Sequence, residues 1–117
     1  DGFTHIILLY HFHLSQGFDL ETIPFLDSVK RGVFATRAPR RPNSIGLSVV
    51  KLIARENNVL KIENVDIVDG TPLLDIKPYN PAFDAVTGAV CGWMQGREDK
   101  LHSIRADGRF SRNEEEP

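Results

Sequence analysis

The sequence has little cysteine and no apolar run long enough to span a membrane. Cys91 is the one cysteine among 117 residues, so no disulfide can form within the chain, which favours a reducing compartment. The longest mostly apolar stretch, Phe3–Leu14, is interrupted by three histidines and is shorter than the ~20 residues that a membrane-spanning helix requires. These two features together predict a cytoplasmic protein without a membrane segment.

The sequence also lacks an excess of charge of one sign and several catalytic fingerprints. With 14 basic and 16 acidic residues the net charge is −2, so any contact with nucleic acid must be made by a local patch. No G-x-G-x-x-G follows a strand, and no P-loop, G-x-S-x-G or zinc-spaced cysteine pair occurs. A Rossmann-type methyltransferase or dinucleotide-binding fold therefore has no support.

The length predicts one domain. We expect it to cover residues 1–112, followed by a disordered acidic tail at residues 113–117. A strongly apolar segment begins two residues after the start of the chain, whereas termini are usually polar and frayed. We therefore expect that an N-terminal strand is missing from this sequence.

Short β-branched and alternating segments dominate the chain. In Phe3–Leu14 the even positions are mostly apolar, which predicts a strand with one apolar face. Two β-branched segments are joined by Glu56–Asn58, which predicts a β-hairpin. In the second segment the apolar residues change from even to odd positions, which predicts a bulge there. The predicted strands are Phe3–Leu14, Gly32–Thr36, Ile45–Arg55, Val59–Val68 and Leu73–Ile76. This pattern favours an all-β fold, a small β-barrel with long ordered loops and little helix.

A basic, proline-stiffened loop follows the second predicted strand. Arg37–Asn43 carries three guanidinium groups and two prolines, so it cannot be a helix interior or a regular ladder. Guanidiniums on a stiff backbone can bind phosphates or a carboxylate through paired hydrogen bonds. The alternative is a solvated basic loop whose arginines pair with nearby acids.

The segment Asp69–Tyr79 begins with an Asp-Gly turn and continues as a short strand. Asp75, Lys77 and Tyr79 then share one strand face and form a compact polar set. The alternative is structural, with Asp69 and Gly70 only forming a turn and Asp75 pairing with Lys77.

Three histidines occupy odd positions of the first strand. His11 and His13 project from the same side, a spacing that can bind zinc, and His5 lies ~20 Å further along. Neither a cysteine nor an acidic ligand is placed to complete a site, so we expect no metal. Packing or hydrogen bonding inside a polar barrel is the favoured role of these histidines.

Two long motifs carry a resemblance to a known family. Gly32-Val-Phe-Ala-Thr-Arg-Ala-Pro-Arg-Arg-Pro-Asn-Ser-Ile-Gly-Leu-Ser48 and Asp66-Ile-Val-Asp-Gly-Thr-Pro-Leu-Leu-Asp-Ile-Lys-Pro-Tyr79 closely resemble those of the TrmO (TsaA-like) family. The resemblance runs from the start of the chain to about Phe83, and Gly92-Trp93 is similar to the short tail of some members. Ser44 departs from the family's usual proline, and the family's N-terminal segment with its proline-arginine-glutamine turn has no counterpart here.

The resemblance implies a homodimeric β-barrel that binds S-adenosylmethionine. It implies methylation of N6 of the threonylcarbamoyl-modified adenosine 3′ of a tRNA anticodon. Carried over by position, the cofactor-binding residues are His13, Leu14, Arg37, Leu47, Asp66, Asp69, Gly70 and Thr71. Those facing the tRNA are Arg40, Arg41, Asn43 and Lys77, and the catalytic candidates are Asp69, Asp75 and Tyr79.

Two other functions stay open at this point. One is a non-catalytic RNA-binding β-barrel, in which the basic loop holds an anticodon stem-loop and no methyl donor enters. The other is a small-molecule methyltransferase that uses the same donor. Binding of S-adenosylmethionine and methyl transfer to tRNA separate the three.

Overall fold

A computed structural model describes residues 1–24, 28–63 and 65–95. Within them the chain is mostly strand with little helix, as the sequence predicts. The strands are β1 (His5–His11), β2 (Glu21–Thr22), β3 (Arg31–Gly32), β4 (Ile45–Glu56), β5 (Val59–Glu63) and β6 (Leu73–Pro78). The helices are a first 3-10 helix (Val33–Ala35), α1 (Pro81–Asp84) and a second 3-10 helix (Gly92–Met94).

Four strands form one antiparallel sheet in the order β5-β4-β1-β6. The β4–β5 hairpin turns at Asn57, whose φ of +57° lies in the left-handed region that asparagine tolerates. β2 and β3 form a separate two-stranded ribbon. β5 and β6 are the two edges of the larger sheet, so the described residues do not close it into a barrel.

The core covers one face of this sheet. Ile6, Leu8 and Tyr10 alternate along β1 and pack with Val50 of β4, which is 2% exposed. Each fully buried side chain of this size stabilises the fold by about 1.5–3 kcal/mol. The residues packed around them are Phe12, Leu52, Leu60, Ile62 and Ile67.

The opposite face of the sheet is exposed although it is largely apolar. Ile45, Leu47 and Val49 of β4 all project from it, and each is about half exposed. His5 and His11 of β1 are exposed too, because their odd positions place them opposite the core. The prediction that these histidines lie in a barrel interior is wrong for His5 and His11, and the His5 ring instead contacts the hydroxyl of Thr4 at 2.8 Å.

Two strand predictions need correction. Of the predicted strand Gly32–Thr36 only Gly32 is in a strand, at the end of β3, because the Thr36 backbone N–H and hydroxyl both donate to the Val33 carbonyl oxygen and close a turn. In the hairpin, the register shift falls on β4 between Leu52 and Ala54, and β5 ends at Glu63. Ile67 still packs on the core, so its apolar character reflects burial and not strand pairing.

The remaining segments agree with the predictions in outline. β1 ends at His11, so the alternating pattern overstates its length by three residues at its C-terminal end. β6 runs to Pro78, and proline is tolerated there because β6 is an edge strand. No helix in the described part of the chain is long and apolar enough to cross a membrane. The predicted acidic tail lies outside the described residues.

Candidate functional site

The two motifs singled out in the sequence meet at one end of the sheet, on either side of β1. The His11 backbone N–H donates to the Pro72 carbonyl oxygen at 3.0 Å. The next residue, Phe12, donates its N–H to the Ser44 carbonyl oxygen at 2.8 Å. Pro72 leads from the Asp-Gly turn into β6, and Ser44 leads from the basic loop into β4. The end of β1 therefore joins both motifs through two consecutive hydrogen bonds.

The loop that follows β1 belongs to the same end of the sheet. It folds back at once, because the Ser15 N–H donates to the Phe12 carbonyl oxygen at 3.1 Å. His13 and Leu14, both half-buried, lie inside this turn. Further on, Asp19 contacts Arg40 with 3.5 Å between its Oδ2 and the arginine Nη2. Three loops thus meet around the C-terminal end of β1.

The arginine loop, Arg37–Asn43, is held by its own hydrogen bonds. Arg41 donates through Nη1 to the carbonyl oxygens of Thr36 at 2.8 Å and of Ala38 at 3.3 Å. Its guanidinium also lies over the Phe34 ring, 5.9 Å from the centroid. Arg41 therefore braces the loop from within.

Thr36 anchors the start of the arginine loop. It is 8% exposed, and its hydroxyl accepts the Ala38 N–H at 3.3 Å while donating to the Val33 carbonyl oxygen. Arg37, Arg40 and Asn43 are exposed. The loop thus has a buried base and presents two guanidiniums and one amide to solvent.

The Asp-Gly turn, Val68–Thr71, is closed by the backbone. The Thr71 N–H donates to the Val68 carbonyl oxygen at 3.2 Å, and the Thr71 hydroxyl donates to the same oxygen. Gly70 has φ of +84°, a conformation that other residues rarely adopt and that suits the third position of a type II turn. Asp69 is exposed at the tip of the turn, and Asp66 before it is half-buried.

Leu47 and Asp75 lie on the exposed face of the sheet. Both are paired with Leu9 of β1, Leu47 from β4 and Asp75 from β6, so the three side chains form one row across the sheet. Since neighbouring strands are ~4.8 Å apart, Leu47 and Asp75 are about 10 Å from each other. This row is two residues from the end where the loops meet.

Tyr79 lies at the other end of β6, away from the loops. Its N–H donates to the His5 carbonyl oxygen at 3.3 Å, and its ring lies 6.2 Å from the His5 ring. At ~3.3 Å per residue, Tyr79 is about 20 Å from Pro72. Lys77, paired with Ile7, lies between them. Within one chain, the structure does not bring Tyr79 together with Asp69, another of the three catalytic candidates.

Comparison with known families identifies the family of this chain. A sequence model of the tRNA-methyltransferase O N-terminal domain matches residues 1–85, which include the arginine loop, the Asp-Gly turn and the whole four-stranded sheet. The chain belongs to the TrmO family. The resemblance noted in the sequence is thereby confirmed.

Proteins similar to this chain come from archaea, mammals and bacteria. A probable S-adenosyl-L-methionine-binding protein of Pyrococcus abyssi is 55% identical over 110 residues, 94% of this chain and 60% of that protein. The human tRNA (adenine(37)-N6)-methyltransferase is 40% identical over 88 residues, 73% of this chain and 20% of that protein. The crystal structure of TrmO from Pseudomonas aeruginosa superposes with a TM-score of 0.66 at 35% identity, covering 94% of this chain and 54% of that one. The chain thus spans 60% or less of the length of each of these three proteins.

Asp75 is one of the aspartates that the TrmO resemblance offers as catalytic groups, and its neighbours stabilise its ionised form. Asp75 Oδ2 lies 3.1 Å from the Lys77 ammonium nitrogen, and its Oδ1 accepts the Ile76 N–H at 2.8 Å. The hydrogen bond from Lys77, followed by that from Ile76, holds the pKa of Asp75 below its ordinary value. The structural alternative for this pair, an Asp75–Lys77 ion pair, is confirmed. A carboxylate with a lowered pKa is a weaker proton acceptor.

We predict that Lys77→Met raises the pKa of Asp75, because the largest stabilising contact of its ionised form is lost. NMR titration of the side-chain carboxyl carbon measures this directly. Since the folded-state pKa is the lower one, the pair stabilises the fold above the ordinary aspartate pKa and stops doing so as pH falls through the folded-state value. Both groups are exposed, so the effect on stability at neutral pH is small.

A matched control for this prediction is Lys61→Met. It removes the exposed pair in which the Lys61 ammonium nitrogen lies 3.0 Å from Glu56 Oε1, on the far hairpin. Asp75 should titrate as in the unmodified protein. An Asp75 titration that is the same with and without Lys77 would contradict the assigned cause.

Three residues near these loops were given no role in the sequence analysis. Ser15 has a buried hydroxyl oxygen without a hydrogen-bond partner among the described residues. Gly46 lies directly against the rings of Tyr10 and Phe12, and a glycine inside a strand pattern is a signal of such close approach. Trp93 donates its indole N–H to the Ala35 carbonyl oxygen. No local pattern predicts the burial of the Ser15 hydroxyl or the bond between Trp93 and Ala35, which are 58 positions apart in the sequence.

Proposed function

We propose that the three loops at the end of β1 form a binding site for S-adenosylmethionine and that the protein is a tRNA adenine-N6 methyltransferase. The observation that carries the proposal is the pair of hydrogen bonds from His11 and Phe12 to Pro72 and Ser44, which joins the arginine loop to the Asp-Gly turn. The names of the archaeal relatives support the ligand, and the name of the human relative supports the reaction.

The residues at this end of the sheet fit such a ligand. An exposed guanidinium at Arg37 suits the ligand's carboxylate. The buried Ser15 hydroxyl lacks a partner in the described parts of the chain, so a ligand's polar group that reached it would offset the cost of its burial. The exposed tip of the Asp-Gly turn offers backbone groups and a carboxylate to an adenine or ribose.

Holding two reactants in line is the main task of such an enzyme. The ligand, when bound, supplies a methyl group on a sulfonium sulfur. The chain's part is to bind and orient it, with Arg37 at one side, the Asp69–Thr71 segment at another, and His13 and Leu14 between them. Leu47, half exposed on the sheet face, would add an apolar contact to the ligand, and the half-buried Asp66 a polar one.

The acceptor nitrogen must release a proton, and we propose that Asp69 accepts it. Asp69 is exposed at the loop end, next to the proposed ligand site. Asp75 is less suited because Lys77 and the Ile76 N–H already stabilise its ionised form. Tyr79 is about 20 Å along β6 from the loops, so within one chain we assign it to contact with the tRNA and not to the proton transfer.

The proposed tRNA surface includes the exposed part of the arginine loop. Arg40 and Asn43 face solvent there and suit phosphate groups of an anticodon loop. Arg41 would act mainly by holding the loop, since its Nη1 is bonded to two of the loop's carbonyl oxygens. Lys77 and Tyr79 extend the surface, and the tyrosine ring can stack on an unpaired base.

The proposed acceptor is the threonylcarbamoyl-modified adenosine 3′ of the anticodon.

We also propose a cytoplasmic homodimer with a closed barrel, as the family resemblance implies. The exposed apolar side chains of Ile45, Leu47 and Val49 support an interface on this face of the sheet. Closure of the barrel would occur at the outer edges of β5 and β6, which have no neighbouring strand among the described residues. In a dimer, the start of β6 of one subunit and the end of β6 of the other could contribute to one reaction centre. Light scattering on the purified protein measures the oligomeric state.

We predict that S-adenosylmethionine raises the melting temperature of the protein. A ligand that binds only the folded state at about 100 times its dissociation constant stabilises it by roughly 2.7 kcal/mol. The measurement is a thermal-shift titration, followed by transfer of labelled methyl groups to bulk tRNA with and without the threonylcarbamoyl modification. Adenosine, which lacks the carboxylate and the sulfonium, is the control ligand and should give a smaller shift.

The same experiment separates the other two functions. Salt-sensitive tRNA binding without a thermal shift from the methyl donor would instead identify a non-catalytic RNA-binding protein. A thermal shift with methyl transfer only to metabolite extracts would identify a small-molecule methyltransferase. Either result would overturn the proposed reaction.

A further inference from the structure

The chain's single tryptophan connects the last described segment to the entrance of the arginine loop. Trp93 lies in the second 3-10 helix, beyond residue 85 where the family match ends. Its indole Nε1–H donates to the Ala35 carbonyl oxygen at 2.8 Å, across 58 positions of sequence. We propose that Trp93 is a positioning residue that holds the base of the arginine loop and thereby raises the affinity of the S-adenosylmethionine site. This inference rests on the proposed function.

The indole also contacts the chain on the other side of the first 3-10 helix. The guanidinium carbon of Arg31 lies 5.7 Å from the centroid of the Trp93 ring, within the range of a cation–π contact. Arg31 and Ala35 lie on either side of Val33, which is 1% exposed. Trp93 therefore contacts the last residue of the short helix and a residue of β3 two positions before the helix begins.

The Ala35 carbonyl is an effective place to hold the loop. Carbonyl groups at the C-terminal end of a helix have no donor within it and need one from elsewhere. Ala35 is the last residue of the first 3-10 helix, and Arg37 follows it by two residues. The backbone that leads into Arg37 is therefore held at two neighbouring points, by Trp93 at the Ala35 carbonyl and by the bonds of Thr36 to Val33. Loss of the Trp93 contact would leave one of the two and give the Arg37 guanidinium more freedom.

Binding should depend on this contact because a flexible loop must be ordered before it can hold a ligand. A loop already fixed in its bound conformation avoids that ordering cost and binds more tightly. Loss of a single hydrogen bond that preorganises the loop should weaken binding by about three- to tenfold. The chemistry at the reacting atoms should change less, since Trp93 acts through Arg37.

The test compares Trp93→Phe with the unmodified protein. Phenylalanine keeps a ring for Arg31 but has no N–H for Ala35. We expect the dissociation constant for S-adenosylmethionine, measured by calorimetry, to rise about three- to tenfold. The KM for the methyl donor should rise by a similar factor while kcat changes less. Trp93→Ala, which also removes the contact with Arg31, should have a larger effect on both constants.

The matched control is Asn80→Ala at the opposite end of β6. It removes one hydrogen bond, from the Ala82 N–H to Asn80 Oδ1 at 2.9 Å, and should leave the dissociation constant unchanged. Equal affinities of Trp93→Phe and the unmodified protein would overturn the inference, and so would an equal loss of affinity in Asn80→Ala. Absence of binding by the unmodified protein would instead refute the proposed function. If Trp93→Ala does not fold, Trp93→Phe still decides the question.

Discussion

Arg37→Ala is expected to weaken S-adenosylmethionine binding by about 10- to 100-fold, the usual loss for a hydrogen-bonded charged group. Arg37 is exposed at the start of the arginine loop, two residues after the contact between Ala35 and Trp93. Its neighbour Thr36 is buried and fixed, so the Arg37 backbone is held while its guanidinium remains available to a carboxylate. Calorimetry on the purified variant measures the loss.

Thermal unfolding without ligand separates a binding effect from a folding effect. An exposed arginine contributes little to stability, so the melting temperature of Arg37→Ala should match that of the unmodified protein. The control is Arg55→Ala, which removes another exposed guanidinium. Arg55 lies near the end of β4, away from the arginine loop, and its Nη2 is 3.3 Å from Asp1 Oδ2. Undiminished affinity in Arg37→Ala, or an equal loss in Arg55→Ala, would contradict the role assigned to Arg37.

Gly46→Ala is expected to destabilise the protein by about 1–3 kcal/mol and to lower its melting temperature on the order of 5–15 °C. Gly46 is buried in β4 opposite Tyr10. A Cβ atom at this position would overlap Cε2 of Tyr10 and lie 2.8 Å from Cζ of Phe12, well inside contact distance. The Tyr10 ring cannot simply swing away, because its hydroxyl is hydrogen-bonded to the Ser48 hydroxyl at 2.8 Å.

The same change should weaken ligand binding because the displaced rings belong to the end of β1. Tyr10 and Phe12 pack edge to face with 5.5 Å between their centroids, and Phe12 bonds to Ser44 and precedes His13. The control is Gly32→Ala, where an added Cβ meets nothing within 4 Å and φ is −60°. It should be neutral or slightly stabilising. If Gly46→Ala melted at the same temperature as Gly32→Ala, the close packing around Gly46 would be refuted.

Local sequence patterns were sufficient for the elements whose cause is local. Alternation along β1 identified its buried face, and the paired asparagines identified the hairpin turn between β4 and β5. The prolines of the arginine loop and the glycine of the Asp-Gly turn each limit the backbone by their own covalent structure. The pairing of Asp75 with Lys77 follows from their spacing of two on one strand face.

Predictions failed where a contact with another part of the chain determined the outcome. Residues 33–35 are β-branched or apolar enough to resemble a strand, yet the hydroxyl of Thr36 and the indole of Trp93 satisfy the carbonyls of a 3-10 turn. Residues 65–68 have the apolar residues of a strand, but Ile67 packs on the core and lies outside the strands of the described residues. Burial and strand pairing both require apolar side chains, so composition alone does not distinguish them.

By itself, the sequence determined the chemical groups of the candidate site and the stiffness of the segments that carry them. Only the tertiary structure decided which groups meet, because strand register places the ends of β1, β4 and β6 together and leaves Tyr79 about 20 Å away. It also decided that Arg41 faces its own loop while Arg37 faces solvent. The physical reason is that hydrogen bonds between distant segments, such as those of His11, Phe12 and Trp93, depend on how the whole sheet packs, whereas turns and alternation depend on neighbouring residues.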